Sequence, residues 1–159
     1  MVKVVADNTV LSNFALTARE DLLHKLFGDA MAATDAVMDE LSAGEAKGIV
    51  PRRDWSWLPV LRLESPAERQ SFETLRERLG RGEASCLSLA ISRRLRVLTD
   101  DRDTRIIAHR RDIPVSGTIG VLVLAVKRGL LPLDEANTLL SDMIEKGYYA
   151  PYHEIDALL

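Results

Sequence analysis

The sequence predicts an α/β domain, a three-layer α/β/α sandwich around a central, mostly parallel sheet, and three observations predict it. Short strand-like runs alternate with helix-spaced apolar residues along the 159 positions, the order that builds parallel sheets covered by helices. The first run, VKVVA at 2–6, is nearly all apolar rather than alternating, as a strand buried on both faces should be. Two runs end in acid: Asp7 follows the first, and Asp100-Asp101 follow LRVLT at 95–99. The carboxyl ends of parallel strands are where such sheets carry their sites.

After Asp7 the polar-to-apolar switch NTVLSNFAL leads into helical spacing through Leu22, Leu23, Leu26 and Phe27, with Gly28 as a stop. A weak strand is expected at about 30–33. Thr34 or Asp35 then caps a helix with Val37, Met38 and Leu41 at helical spacing, and Gly44 and Gly48 weaken its continuation to Val50. Trp55 to Leu63 reads as a strand that Pro59 confines to an edge or a bend. Ser65-Pro66-Ala67-Glu68 is a helix start with Ser65 as cap and Glu68 closing a capping box; the helix should reach Leu79 and stop at Gly80. A further helix opens at Gly82, with Leu87, Ala90, Ile91 and Leu95 as its apolar stripe. The strand LRVLT follows, then a helix at 104–110, a short strand at 113–115, an apolar helix from Gly117-Thr118 to Lys127 and a last helix at 134–146. Residues 1–159 thus read as one domain, whose tail from 148 to 159 docks on the core or on a partner.

Composition narrows the class. The chain is 47% hydrophobic and 28% charged, as ordinary globular proteins are. Its longest apolar stretch, Ile119 to Val126, falls far short of the ~20 residues of a membrane span. The single cysteine, Cys86, rules out an internal disulfide framework and a cysteine zinc site, reads as a buried structural thiol in the run CLSLAI, and fits a reducing cytoplasm. Net charge is −3, so the whole molecule lacks the basic balance of a nucleic-acid binder. Yet Arg93, Arg94, Arg96, Arg102, Arg105, Arg110 and Arg111 crowd one stretch, with Arg52 and Arg53 elsewhere. A basic rim around an acidic centre suits a phosphodiester, although each arginine alone could equally be a solvated helix face.

Carboxylates crowded at strand ends repel one another unless a cation neutralises them, and oxygen-rich clusters bind hard ions such as Mg²⁺ or Mn²⁺. Glu40, late on its helix, and Glu83, in the first turn of another, could face the same pocket as Asp7 and the Asp100-Asp101 turn. Each also has a plain structural use: Asp7 as a turn or cap, Glu40 as a solvated helix acid, Glu83 as a partner of its helix dipole, and Asp100 or Asp101 as the N-cap of the next helix.

Four segments in order carry a family resemblance. VVADNTVLSNFAL, AVMDEL, GEASCLSLAISRRLRVLTDDRDTRIIA and IPVSGTIGVLVLAVKRGLL resemble the successive elements of PIN domains, and the last resembles small prokaryotic PIN proteins related to VapC-type toxins. The resemblance spans about residues 2–147. It implies a PIN-like fold and a metal-dependent endoribonuclease in which Asp7, Glu40, Glu83 and Asp101 surround one or two Mg²⁺ or Mn²⁺ ions. Asp100 is the second choice for the fourth acid, and Asp103 a helix-start alternative. Thr9 would orient Asp7 or a metal-bound water, and Asn13 would line the pocket or cap a helix. Implied partners are an RNA substrate, an antitoxin protein and a second copy of the chain.

Two other readings compete. Asp7-x-Thr9 with a later Asp-Asp pair weakly resembles haloacid-dehalogenase-type phosphatases, but that pattern wants an acid where Thr9 stands and leaves Glu40 and Glu83 idle. The other is a PIN-like module that binds RNA or protein without cutting. Trp55 and Trp57 read as edge-strand or interface residues rather than base-stacking platforms. His24, His109 and His153 share no ligand spacing, Tyr148, Tyr149 and Tyr152 read as a docking surface, and no Gly-rich phosphate loop occurs.

Overall fold

The computed structural model describes all residues, Met1–Leu159. Five parallel strands form its sheet: β1 (Val4–Ala6), β2 (Met31–Thr34), β3 (Val60–Leu61), β4 (Arg96–Leu98) and β5 (Val115–Ser116), in the spatial order β3-β2-β1-β4-β5. The chain builds outward from β1 through β2 to β3, then returns to place β4 on the other side of β1. The direction of winding therefore reverses between β1 and β4, and a crevice opens there beyond the strand ends. The register pairs Val4 with Arg96, Val5 with Val97 and Ala6 with Leu98. Asp7 and Thr99, the next residue of each strand, consequently emerge side by side.

Eight α-helices cover the sheet: α1 (Asn8–Leu16), α2 (Glu20–Phe27), α3 (Asp35–Ala46), α4 (Pro66–Leu75), α5 (Arg81–Arg93), α6 (Arg102–Arg110), α7 (Thr118–Lys127) and α8 (Leu133–Glu145). α5 lies against β1, β2 and β4 and packs on α3, α4 and α6; α7 packs on α2 and α8, and α1 on α2 and α8. The result is a three-layer α/β/α sandwich with a parallel sheet, as the alternation of elements predicts. β1 and β2 are buried along their whole length, the consequence of helices on both faces. No helix is long and apolar enough to cross a membrane.

Local chemistry sets the helix starts. Ser65 Oγ accepts from the Glu68 N–H at 3.1 Å while Glu68 Oε1 accepts from the Ser65 N–H at 3.2 Å, the expected capping box. Thr34, rather than Asp35, caps α3 through a 3.1 Å bond from the Val37 N–H. α7 begins at Thr118 and buries Ile119, Val121, Leu122 and Ala125. It is a core helix.

Two expectations change, and one choice left open between two alternatives is decided. The strand expected over 55–63 shrinks to Val60–Leu61, although it does lie at the sheet edge. Trp55 O accepts from the Leu58 N–H at 2.9 Å and Asp54 Oδ1 from the Ser56 N–H at 2.9 Å, so local turn bonds displace a ladder there. Trp57 instead stacks on His24, ring centroids 4.4 Å apart, and Trp55 is buried beside it. α4 stops at Leu75 rather than Leu79, the chain continuing in turns to Leu79, whose side chain is buried. Finally, the tail returns to its own core: Ile155 is fully buried and its N–H donates to Asn137 Oδ1 at 2.9 Å.

Candidate metal centre

Asp7 ends β1 and caps α1. Its Oδ1 accepts from the Thr9 N–H at 3.0 Å and the Thr9 hydroxyl at 2.5 Å, and its Oδ2 accepts from the Thr99 hydroxyl. The side chain is almost wholly buried. Burial pushes its carboxyl up to about 7, the Thr9 and Thr99 hydrogen bonds pull against this, and the charges of Glu83 and Asp100 add to the rise. No cation opposes it. Thr9 thus acts on Asp7 rather than out into the pocket, and its hydroxyl also accepts from the Asp100 N–H at 2.9 Å.

The two acids after β4 do different things. Asp101 is the N-cap of α6, its Oδ2 accepting from the Thr104 N–H at 2.9 Å and the Thr104 hydroxyl at 2.7 Å. Asp100 has both oxygens engaged. Oδ1 accepts from the Thr118 N–H at 2.9 Å and the Tyr148 hydroxyl at 3.3 Å, and Oδ2 from the Thr118 hydroxyl at 2.5 Å and Asn13 Nδ2 at 3.1 Å. Asn13, buried within α1, thus donates to Asp100 and Thr118 and caps no helix. Burial and the neighbouring Asp100 raise the Tyr148 phenol above its ordinary range. Asp103 lies exposed in the first turn of α6.

Glu40 and Glu83 approach from the other helical layer. Glu40 Oε1 accepts from the Gly82 N–H at 2.8 Å, fixing α3 to the start of α5. A Cβ at position 82 would stand 2.6 Å from that oxygen, so a side chain there would push the Glu40 carboxylate out of this contact. Glu83, half-buried one residue on, has its carboxyl raised first by burial and then by Glu40 and Asp101, while its own backbone N–H and Arg76 pull it down. Asp7, Glu40, Glu83, Asp100 and Asp101 thus form one electrostatically coupled group.

Their chemistry and their spacing answer the metal question differently. The donors are all hard oxygens carrying uncompensated negative charge, which suits Mg²⁺ or Mn²⁺. Yet no three His, Cys, Asp or Glu side chains stand where they could hold one ion together. Like charges without a counter-ion move apart onto the nearest protein donors, and the Glu40–Gly82 and Asp100–Thr118 bonds are such contacts.

Thr99, Thr118, Gly82 and Tyr148 hold the acids in place. Their roles depend on contacts between distant parts of the chain, so spacing along the sequence carries no signal for them beyond the position of Thr99 just before the Asp100-Asp101 pair. Cys86 is fully buried and free, and burial first, then Asp7 and Glu83, pushes its thiol upward; it is structural, as expected. Two arginines expected in the rim are spent elsewhere: Arg93 pairs with Glu68 at 2.9 Å and Arg53 with Glu20 at 2.7 Å. A concavity of about 890 Å³ lies beside the acids and touches them only at Asp100.

A model of the DUF3368 family, described as a PIN domain, matches residues 3–159. A solved structure, "Crystal structure of PAE2754 from Pyrobaculum aerophilum", is 22% identical with a TM-score of 0.54, over 79% of this chain and 98% of that one; at that identity the likeness concerns the fold. No curated protein matches. With the family model spanning almost the whole sequence and the sheet order and helical layers agreeing with it, the chain belongs to the PIN-domain family.

Proposed function

We propose that the carboxylate pocket at the ends of β1 and β4 acts on RNA, as a phosphodiester hydrolase dependent on Mg²⁺ or Mn²⁺. The observation that supports this reading is the burial of Asp7 among neighbouring acids, which raises its carboxyl to about 7. Acids held together without a cation among them are a standing cost that a functional site accepts and a purely structural one does not. Asp7, Glu40, Glu83 and Asp101 would hold the ion, with Asp100 as the alternative fourth acid. A divalent ion in such a site polarises the phosphate and lowers the pKa of water, so hydrolysis needs no covalent intermediate. The chain's own contribution is orientation. Thr9 and Thr99 fix both oxygens of Asp7, and Thr104 fixes one oxygen of Asp101 and leaves the other free.

A second reading is a PIN-like module that binds RNA or a protein without cutting it. One observation favours it over the first: the acids as they stand do not converge on a single ion position. In the present side-chain arrangement this reading is the more directly supported, while the pocket's composition speaks for the nuclease. The haloacid-dehalogenase alternative gains nothing, because the residue two places after Asp7 is Thr9, committed to Asp7 itself and to the Asp100 N–H.

The deciding experiment is a Mn²⁺ titration of the full chain with a mixed-sequence labelled RNA. A nuclease cuts the RNA with Mn²⁺, stops on chelation, and loses at least about 100-fold in rate in the Asp7→Asn variant. Binding of RNA with no cleavage at any metal concentration would establish the module instead. The resemblance to VapC-type toxins extends the proposal to a small antitoxin whose segment covers the pocket, and to a homodimer. A short reading frame beside the gene and the chain's mass in solution test these two points.

A further inference from the structure

The 890 Å³ groove beside the acids is walled by α6, by β5 with the start of α7, and by the C-terminal tail. Its arginines are Arg102, Arg105 and Arg110, and His109 lies among them, all exposed. None of the three arginines forms an ion pair with an acid, so all three guanidiniums are open to an anionic ligand. Only one acid, Asp100, lines the groove, at its junction with the pocket. The tail brings two tyrosines left in solvent to the same groove, Tyr149 at 98% and Tyr152 at 49% exposure. The tail carrying them is anchored on both sides, by the Tyr148 hydroxyl on Asp100 and by buried Ile155 on α8.

Unpaired guanidiniums and exposed aromatic rings sharing one groove match a single-stranded nucleic acid, which offers both phosphates and unstacked base faces. An acidic peptide would satisfy the arginines and leave the rings without flat partners. A duplex keeps its base faces stacked and out of reach. Arg105 marks the direction of the track: its guanidinium donates to the Thr99 carbonyl at 3.0 Å, between the groove and the acids.

We propose that this groove is the track for a single-stranded RNA segment entering the acid pocket, with Tyr149 and Tyr152 stacking on bases and Arg102, Arg105 and Arg110 holding phosphates. The inference rests on the RNA reading above and names where that substrate lies. It gives the tyrosines a task that a docking surface alone does not.

The test measures anisotropy of a labelled 12-nucleotide single-stranded RNA on the full chain in chelator, so that binding is read without cleavage. Tyr149→Ala and Tyr152→Ala should each weaken binding by roughly 5- to 100-fold, the range for losing one stacked base. The Arg102→Gln/Arg110→Gln variant should lower the slope of log affinity against log salt by about 1.4, two phosphate contacts on a single strand. Arg52→Gln, outside the groove, should change neither. RNA bound equally well by the tyrosine and arginine variants would overturn the proposal. So would failure to bind RNA, or stronger competition by an acidic peptide or a duplex than by unlabelled single strand. The two readings fail separately. A chain that never cuts yet loses RNA in the groove variants refutes the nuclease and keeps the track. A chain that cuts with unchanged KM in those variants refutes the track and keeps the nuclease.

Discussion

Asp7 is a buried acid whose neighbours at the strand ends are acids as well. Its carboxyl sits at about 7 when folded, against about 3.9 when unfolded, so the folded state holds the proton more tightly. Its burial is therefore harmless below about pH 4, destabilises the fold increasingly as pH rises to about 7, and levels off beyond. In chelator, the Asp7→Asn protein should gain stability over the native chain between pH 4 and 8, on the order of a few kcal/mol. Urea unfolding at both pH values reads this directly. A stability difference that is flat across that range would mean the acid is not held neutral by its surroundings.

At the scale of elements, α4 and α5 show how one side chain can serve a helix end and a helix pair together. Glu68 Oε1 accepts from the N–H groups of Glu64 and Ser65, and Oε2 from Arg93 Nε at 2.9 Å. The Glu68 carbonyl also receives the hydroxyl of buried Ser88. The Arg93 guanidinium leads in holding the Glu68 carboxyl down at about 2, against the effect of burial. Replacing Glu68 by Gln should cost about 2–3 kcal/mol at pH 7, since it leaves Arg93 without its charged partner and loosens the capping box. An acid depressed in the fold stabilises it above its unfolded pKa of about 4.3 and loses that contribution as pH falls toward 2. The Glu68→Gln deficit should therefore shrink on acidification, as chemical denaturation at pH 7 and pH 3 would show; a deficit that persists at low pH would point to packing instead. The Ser65-Pro66-Ala67-Glu68 start was legible because every partner lies within three residues. The bond from Glu68 to Arg93 was not, because it spans two helices.

For the whole molecule, the parallel order β3-β2-β1-β4-β5 explains why acids distant in sequence share one place. Asp7 and the Asp100-Asp101 turn meet because β1 pairs with β4, and α5 carries Glu83 to the same end through its contacts with both strands. If the group accepts a cation, the whole fold should become more stable by linkage. Mn²⁺ at a hundred times its dissociation constant adds about 2.7 kcal/mol, which for a chain of this size raises Tm by roughly 5–10 °C. Scanning calorimetry with Mn²⁺, with Ca²⁺ as a comparison and Asp7→Asn as a control, would show it. An unchanged Tm in saturating Mn²⁺ would remove the metal centre and leave the binding module.

The sequence by itself determined the α/β class, the edge position of the strand after Pro59, the capped start of α4, the span of α7 and the acids at the ends of β1 and β4. These depend on local periodicity, capping chemistry and the burial of strands on both faces, all of which act over a few residues. Only the tertiary structure decided that Asp101 caps α6 while Asp100 ties α1, α7 and the tail together, that Thr99 holds Asp7, and that Trp55 and Trp57 pack in a loop against α2. It also decided that the arginine-rich stretch divides between an internal ion pair at Arg93 and an unpaired groove wall at Arg102, Arg105 and Arg110. Each of these depends on which distant donor reaches a side chain first, and that is set by strand register and helix packing rather than by neighbours along the chain.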